Sequence, residues 1–299
     1  MQASGDACGA AKDQRSTGPP GTRLVLVAHG SRDPRAERST LALAQAVRRR
    51  AGAPVEATFL DFSTPRLVDS LAGSAVPAVV VPLLLTKAYH GRIDVPAEVE
   101  RARVAAPGVE LRLAEVLGPV AGRVPDRTAL DVIVAGLVRR LGEAGALAGE
   151  RWRGAAPQAS PAGERWRAAA PQASPAVDGI VLAAAGSRDA STLDSVGWVA
   201  EALEAALGVP CRAGYASGTG PGTGAAAAAL AGQGARRIAV AGYFLAPGLL
   251  FDRAVNQALA AGAACAAAPL GDAPELVDLV LARAAAASGV TEQEPLVAA

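Results

Sequence analysis

The chain has 299 residues, enough for two domains, and hydrophobic residues make up 51% of it, as in ordinary globular cores. Aromatics are only 3%, so alanine, valine and leucine must fill those cores, and a net charge of +1 argues against a general nucleic-acid or membrane-surface role. Cys8, Cys211 and Cys265 are odd in number and lack CxxC spacing, which argues against a disulfide framework or a zinc knuckle and points to a reducing, cytoplasmic setting. Cys211 and Cys265 are expected to be small buried hydrophobes.

Residues 1–21 are polar, carry Gly and Pro and have no apolar h-region, so they read as a disordered tail rather than a signal peptide. No run of about 18 apolar residues lacks a breaker, so no membrane span is expected. Strand and helix signals then alternate, the pattern of βαβ units and a mostly parallel sheet. Strands are predicted over 23–28, 55–60, 78–85 and 109–113. A helix starts at Asp33-Pro34 and runs through Leu41, Leu43, Ala44 and Val47; a short one covers 65–71, and another opens at Val95-Pro96. The spacing of Leu130, Ile133, Val134, Leu137, Val138 and Leu141 predicts a helix over 128–141.

A duplication follows: residues 148–161 recur as 162–175, with Ala168 in place of Gly154 as the one change. Two copies of a Pro/Ala/Ser unit are too few for a solenoid and read as a linker. After it the alternation restarts with a strand over 180–184, a helix over 224–230 and a strand within 236–245. The first strand leads into His29-Gly30-Ser31-Arg32-Asp33, and its counterpart leads into Ala185-Gly186-Ser187-Arg188-Asp189, an offset of 185 − 29 = 156. That offset also pairs Phe59 with Tyr215, Asp61 with Ser217 and Pro65 with Pro221. The second copy keeps the turn signals and loses the reactive groups, with Leu249-Leu250 standing about where Tyr89-His90 stood. The expected organisation is a tail over 1–21, a catalytic domain over 22–146, a linker over 147–177, a degenerate domain over 178–288 and a tail over 289–299.

The chain's two histidines, His29 and His90, each follow an apolar strand, and open α/β sheets bind ligands at the carboxyl ends of their strands. Imidazole is both a common divalent-metal ligand and a base near neutral pH. Asp61, Asp94 and Glu98 are candidate oxygen ligands, although capping the helix opened at Pro96 is the stronger single role for Asp94. Ser31 lies in the turn after His29, and Arg32, Arg35, Lys87 and Arg92 form a cationic rim suited to a polyanionic small molecule. No GxGxxG, GxxxxGK[ST] or GxSxG motif occurs, so nothing signals dinucleotide, NTP or serine-hydrolase chemistry. The run Gly218-Thr219-Gly220-Pro221-Gly222-Thr223-Gly224 reads as a flexible loop. A histidine-phosphatase reading fails because Ala28, not Arg, precedes His29.

These residues carry a resemblance. Ala28-His29-Gly30-Ser31-Arg32-Asp33, Phe59-Leu60-Asp61 and Tyr89-His90-Gly91-Arg92-Ile93-Asp94-Val95-Pro96 are similar to the sirohydrochlorin chelatases, the ATP-independent class II enzymes of siroheme and cobalamin synthesis. The resemblance implies two tandem flavodoxin-like (chelatase-like) domains acting as an internal pseudo-dimer within a monomer. It implies insertion of Co²⁺ or Fe²⁺ into sirohydrochlorin between the domains, with no cofactor beyond the substrate metal. The family's paired histidines fall on His29 and His90; many members carry Glu where this chain has Asp61, so a third ligand stays open. A non-catalytic metal or tetrapyrrole carrier is the alternative.

Overall fold

The computed structural model describes residues 21–87, 93–119, 126–147 and 176–289. The first half runs β1 (Arg23–Ala28), α1 (Pro34–Ala51), β2 (Val55–Phe59), α2 (Leu67–Leu71), β3 (Ala78–Pro82), α3 (Val95–Ala105), β4 (Leu111–Leu113) and α4 (Arg127–Glu143). The second runs β5 (Gly179–Ala184), α5 (Ala190–Leu207), β6 (Cys211–Tyr215), α6 (Thr223–Gly232), β7 (Ile238–Tyr243), α7 (Leu249–Ala260), β8 (Cys265–Pro269) and α8 (Pro274–Ser288). Each half forms a four-stranded parallel sheet, in the orders β2-β1-β3-β4 and β6-β5-β7-β8. The α/β class and the doubled parallel sheet predicted from the sequence are therefore what the chain adopts.

Alternation along the central strands decides which helices each face takes. Leu24, Leu26 and Ala28 of β1, with Ile180, Leu182 and Ala184 of β5, belong to one continuous core lying between the two sheets. Val25 and Val27 face outward onto α2 and α3, and Val181 and Ala183 face α6 and α7. The shared middle layer consists of α1, α4, α5 and α8, and its closing helices are exchanged. α4 lies not on its own half's sheet but against β7, β8 and α5, while α8 lies against β3, β4 and α1. Arg139 of α4 forks onto Glu275 of α8 at 2.7–2.9 Å, and Arg140 donates to the Leu270 carbonyl at 2.9 Å. Ile133, Leu137 and Leu141 of α4 are fully buried, each worth roughly 1.5–3 kcal/mol of apolar burial.

Several expectations shift. β3 stops at Pro82 rather than running to residue 85, because Leu84 N–H turns back onto the Pro82 carbonyl at 3.0 Å and the chain leaves the sheet. β2 ends at Phe59, β4 is three residues long, and Cys265 is half-buried while Cys211 is buried. The glycine run 218–224 is no flexible loop but a turn packed on Tyr215. A Cβ on Gly220 would stand 2.2 Å from that ring, Gly218 sits at φ 89° against the Ser187 backbone, and Thr223 is buried at the start of α6. Cys8, Tyr89, His90, Gly91, Arg92, the tail to residue 20 and the duplicated linker lie outside the described residues. No described helix is long and apolar enough to cross a membrane.

The exchange generates a prediction. A chain ending at Leu147 retains β1–β4 but loses α8, which covers β3 and β4, and leaves the apolar face of α4 without β7 and β8. Such a fragment should not give a stable monomer, and sedimentation should find dimers or larger species; a folded monomeric fragment would show that the exchanged helices are dispensable.

Candidate functional site

The backbone around His29 is fixed by its neighbours. The Ala28 and His29 carbonyls each accept at 2.9 Å, from Leu60 N–H and Asp61 N–H respectively. The chain then turns at Gly30, with φ 89°, pressed so closely against β2's exit that a Cβ would fall 1.7 Å from the Asp61 carbonyl oxygen. Ser31 Oγ accepts from Asp33 N–H at 3.1 Å, and Asp33 caps α1 by accepting from Arg35 N–H at 2.9 Å. Gly30, Ser31 and Asp33 thus deliver His29 to the open end of β1, with its imidazole half-buried.

The imidazole lies nearly parallel to the Phe62 ring, with centroids 6.5 Å apart and planes 14° apart. The Arg32 guanidinium stands 5.1 Å from the same ring's centroid, a cation–π geometry. Phe62 adopts φ 61°, which a bulky residue takes only when its surroundings impose it, and its N–H donates to Asp61 Oδ1 at 2.9 Å. A cavity of about 150 Å³ opens beside the histidine, lined by His29, Glu37 and Thr40 from the first half and by Leu245 and Ala246 from the second. Glu37 accepts a 3.0 Å bond from Ser63 Oγ.

Of the predicted cations, Arg35 and Lys87 each have an acidic neighbour, Arg32 lies over Phe62, and Arg92 is outside the described residues. Arg35 bonds Asp33 and reaches across the halves to Asp252 at 2.5 Å, so its own pKa is raised. The bonds from Arg35 hold the Asp33 carboxyl at about 2. Lys87 Nζ lies 2.9 Å from Glu115, and although partial burial opposes it, that bond keeps Glu115 below the usual carboxylate range. These pairs are solvent-exposed, and such pairs contribute little to stability, so an incoming anion can replace the protein carboxylate at little cost.

Of the predicted oxygen ligands, Glu98 is engaged in ion pairs. Glu98 is 2% exposed on the face of α3 packed against α2, and its carboxylate is engaged by Arg101 and by Arg66 at 3.6 Å. A buried carboxylate needs such partners, and here they are guanidiniums, which makes Glu98 an ion-pairing residue. Asp94 occupies the position preceding α3 but makes no side-chain cap bond, so the expected cap is not formed. Among the described residues no three or more His, Cys, Asp or Glu side chains gather as a metal-holding group; His90 and Arg92 lie outside them.

The second half repeats the frame atom for atom. Ser217 N–H donates to the Ala185 carbonyl at 3.1 Å, and Gly186, at φ 92°, sits where a Cβ would meet the Ser217 carbonyl at 1.8 Å. Asp189 N–H bonds Ser187 Oγ, and Ser191 N–H bonds Asp189 Oδ1. The halves part after the third strand. Leu117 N–H bonds the Leu84 carbonyl as Leu270 N–H bonds that of Phe244, which pairs Leu84 with Phe244. From Leu84 to Val95, the first buried residue of α3, is 95 − 84 = 11 residues, whereas from Phe244 to Phe251, the first inward-packed residue of α7, is 251 − 244 = 7. Burial sets the register of the two helices, pairing Val95, Glu98, Val99 and Ala102 of α3 with Phe251, Ala254, Val255 and Ala258 of α7, so Leu249 and Leu250 precede the position equivalent to Val95. Sequence reasoning missed Phe62, Glu37 and Asp252. The last two could have been flagged as acids beside the cationic rim, whereas Phe62 depends on a positive φ that no local pattern announces.

Two predictions follow from this geometry. Gly30→Ala should lower stability by more than ~2 kcal/mol, read from urea unfolding, since the new methyl meets backbone rather than a movable side chain. Asp33 has a pKa lowered from 3.8 to about 2, so its contribution is complete above its unfolded value and is lost as pH falls through the folded one. Asp33→Asn should therefore flatten the fall of Tm between about pH 4 and pH 2; an unchanged acid limb would contradict the pairing.

Comparison with known proteins agrees with the doubled architecture. The CbiX family model matches residues 23–122 and again 179–287. A sirohydrochlorin ferrochelatase of Bacillus subtilis (strain 168) is 29% identical over 100 residues, covering 32% of this chain and 38% of that protein's length. Two solved structures share the fold. SirB from Bacillus subtilis with Fe³⁺ has a TM-score of 0.63 at 19% identity, covering 90% of this chain and 96% of that one. The sirohydrochlorin chelatase SirB from Bacillus subtilis subspecies spizizenii in complex with cobalt has a TM-score of 0.61 at 20% identity, with the same coverage, 90% and 96%. The family's repeat falls once on each sheet, with the exchanged helix α4 lying between the two matched stretches, and the chain belongs to the CbiX family.

Proposed function

We propose that this protein is a chelatase that inserts Co²⁺ or Fe²⁺ into sirohydrochlorin and releases the two pyrrole protons, serving siroheme or cobalamin synthesis. The observation that carries this reading is His29, fixed at the open end of β1 beside a cavity whose far wall comes from the second half, in a chain of the CbiX family. The names of its relatives support it, one a sirohydrochlorin ferrochelatase and one a SirB structure holding cobalt.

Metallation needs ligands that hold a divalent ion and then give it up, together with an acceptor for the departing protons. His29 and His90 are the proposed ligands, since imidazole binds borderline metals without trapping them as thiolates would. An imidazole also accepts a proton near neutral pH, so either histidine can take one as the pyrrole nitrogens close on the metal. Asp61 is the proposed adjoining carboxylate, at the exit of β2 whose N–H holds the His29 carbonyl. Arg32, Arg35, Lys87 and Arg92 are proposed to receive the carboxylates around the macrocycle, and Ser31 to hold the turn that presents His29. Aliphatic Leu245 and Ala246 line part of the cavity, a setting that favours the uncharged pyrrole nitrogens over water.

The test is spectral. Purified protein mixed with excess sirohydrochlorin and either metal under anaerobic conditions should turn over many equivalents, followed by the change in macrocycle absorption. His29→Ala and His90→Ala should each slow the initial rate by more than ~10-fold while Tm is retained. Full activity in both variants would refute the assignment, and conversion limited to one equivalent would make the protein a carrier.

A further inference from the structure

The half without histidine ends its third strand differently, and what it exposes there is apolar. In the first half α3 opens on Val95, 1% exposed and packed in the core, a place Phe251 takes in the second; α7 begins two residues before it, on Leu249 and Leu250, 80% and 41% exposed. Aliphatic side chains in the first turn of a helix gain nothing from the helix dipole and, in water, nothing from burial. The register of α7 fixes where they stand. Phe251 turns inward, its ring edge-on to Phe244 at 5.5 Å and against Gly242, which anchors the opposite side of the turn. Asp252 reaches Arg35 across the cleft at 2.5 Å, and Leu249, three residues earlier, shares that face of the helix. Leu249 also follows Ala246, a wall of the His29 cavity, by three residues. On the first half's side of the same edge stand exposed Phe62, stacked on His29, and exposed Ile93.

We propose that Leu249 and Leu250 are substrate-positioning residues, forming with Phe62 an apolar seat for the flat face of the macrocycle. This rests on the function proposed above and assigns the second half a task within it. A tetrapyrrole is a broad apolar disc edged with carboxylates. The cleft offers apolar side chains from both halves with Arg32 and Arg35 beside them, which matches disc and edge separately. Histidine on one side and leucine on the other also presents a single face of the ring to the metal ligands.

The experiment uses the full-length protein with sirohydrochlorin and Co²⁺. In Leu249→Ser/Leu250→Ser, KM for sirohydrochlorin should rise at least tenfold, while kcat falls less than threefold and Tm is unchanged, because neither side chain is packed in the core. Co²⁺ affinity without macrocycle, measured calorimetrically, should stay at the wild-type value. Leu249→Met/Leu250→Met, which keeps the apolar surface, should restore KM. An active wild type whose KM does not move in the serine variant overturns this inference alone, as does a variant whose only change is conversion of a dimer to monomers in sedimentation. A wild type with no activity toward sirohydrochlorin overturns the proposed function, and this inference with it.

Discussion

The exchanged closing helices are the constraint on which the rest depends. With α4 covering the second sheet and α8 the first, the four helices of the middle layer form one core, and neither sheet keeps its inner face covered without the other half. Arg139 on Glu275, Arg283 on Asp126 and Tyr243 donating to the Leu85 carbonyl stitch the same boundary with directional contacts. The consequence for chemistry is a cleft whose two walls are joined through one core. Leu245 and Ala246 face the His29 cavity because β7 is held by α4, a helix of the first half. A site that must hold a metal and a rigid ring in register needs walls of that kind.

Comparison of the halves separates the residues of one short motif by role. The positive φ of Gly30 and the hydrogen bonds of Ser31 and Asp33 are reproduced at Gly186, Ser187 and Asp189, in a half that has no histidine, so they belong to the strand-to-helix turn. What the second half lacks is the imidazole and the Asp61 carboxylate, and its segment after the third strand is shorter by 11 − 7 = 4 residues. The glycine-serine-aspartate signature is thus chiefly a statement about the fold. The functional information lies in which side chain the turn presents, alanine in one half and histidine in the other.

Much of this was legible in the sequence, for identifiable reasons. Strands β1 and β5 and helices α1 and α4 have strong patterns, and the 156-residue offset showed the doubling before any coordinates. The exchange was not legible. The spacing of Leu130, Ile133, Leu137 and Leu141 says that one face of α4 is buried but not which sheet buries it, and a connection long enough to return to either sheet leaves both open. Asp94 and Glu98 were read from proximity in sequence, whereas helix geometry turns Glu98 toward Arg66 and Arg101. Glycines 218–224 looked loose because composition does not reveal that Tyr215 fills the space their missing side chains leave.

The ion pairs at the rim acquire a meaning in this frame. A cation held by nothing in the free protein would wander, and its ordering on binding would cost side-chain entropy. Arg35 is instead already oriented at the seam by Asp33 and Asp252, one acid from each half. Both acids remain accessible to water, so exchanging Asp252 for a ligand carboxylate replaces one exposed pair by another of similar strength. Asp33 stays bound throughout as the cap of α1, which keeps the guanidinium aimed during the exchange. Under the proposed function such pairing makes the rim both ordered and replaceable, which a polyanionic substrate that must enter, be metallated and leave requires.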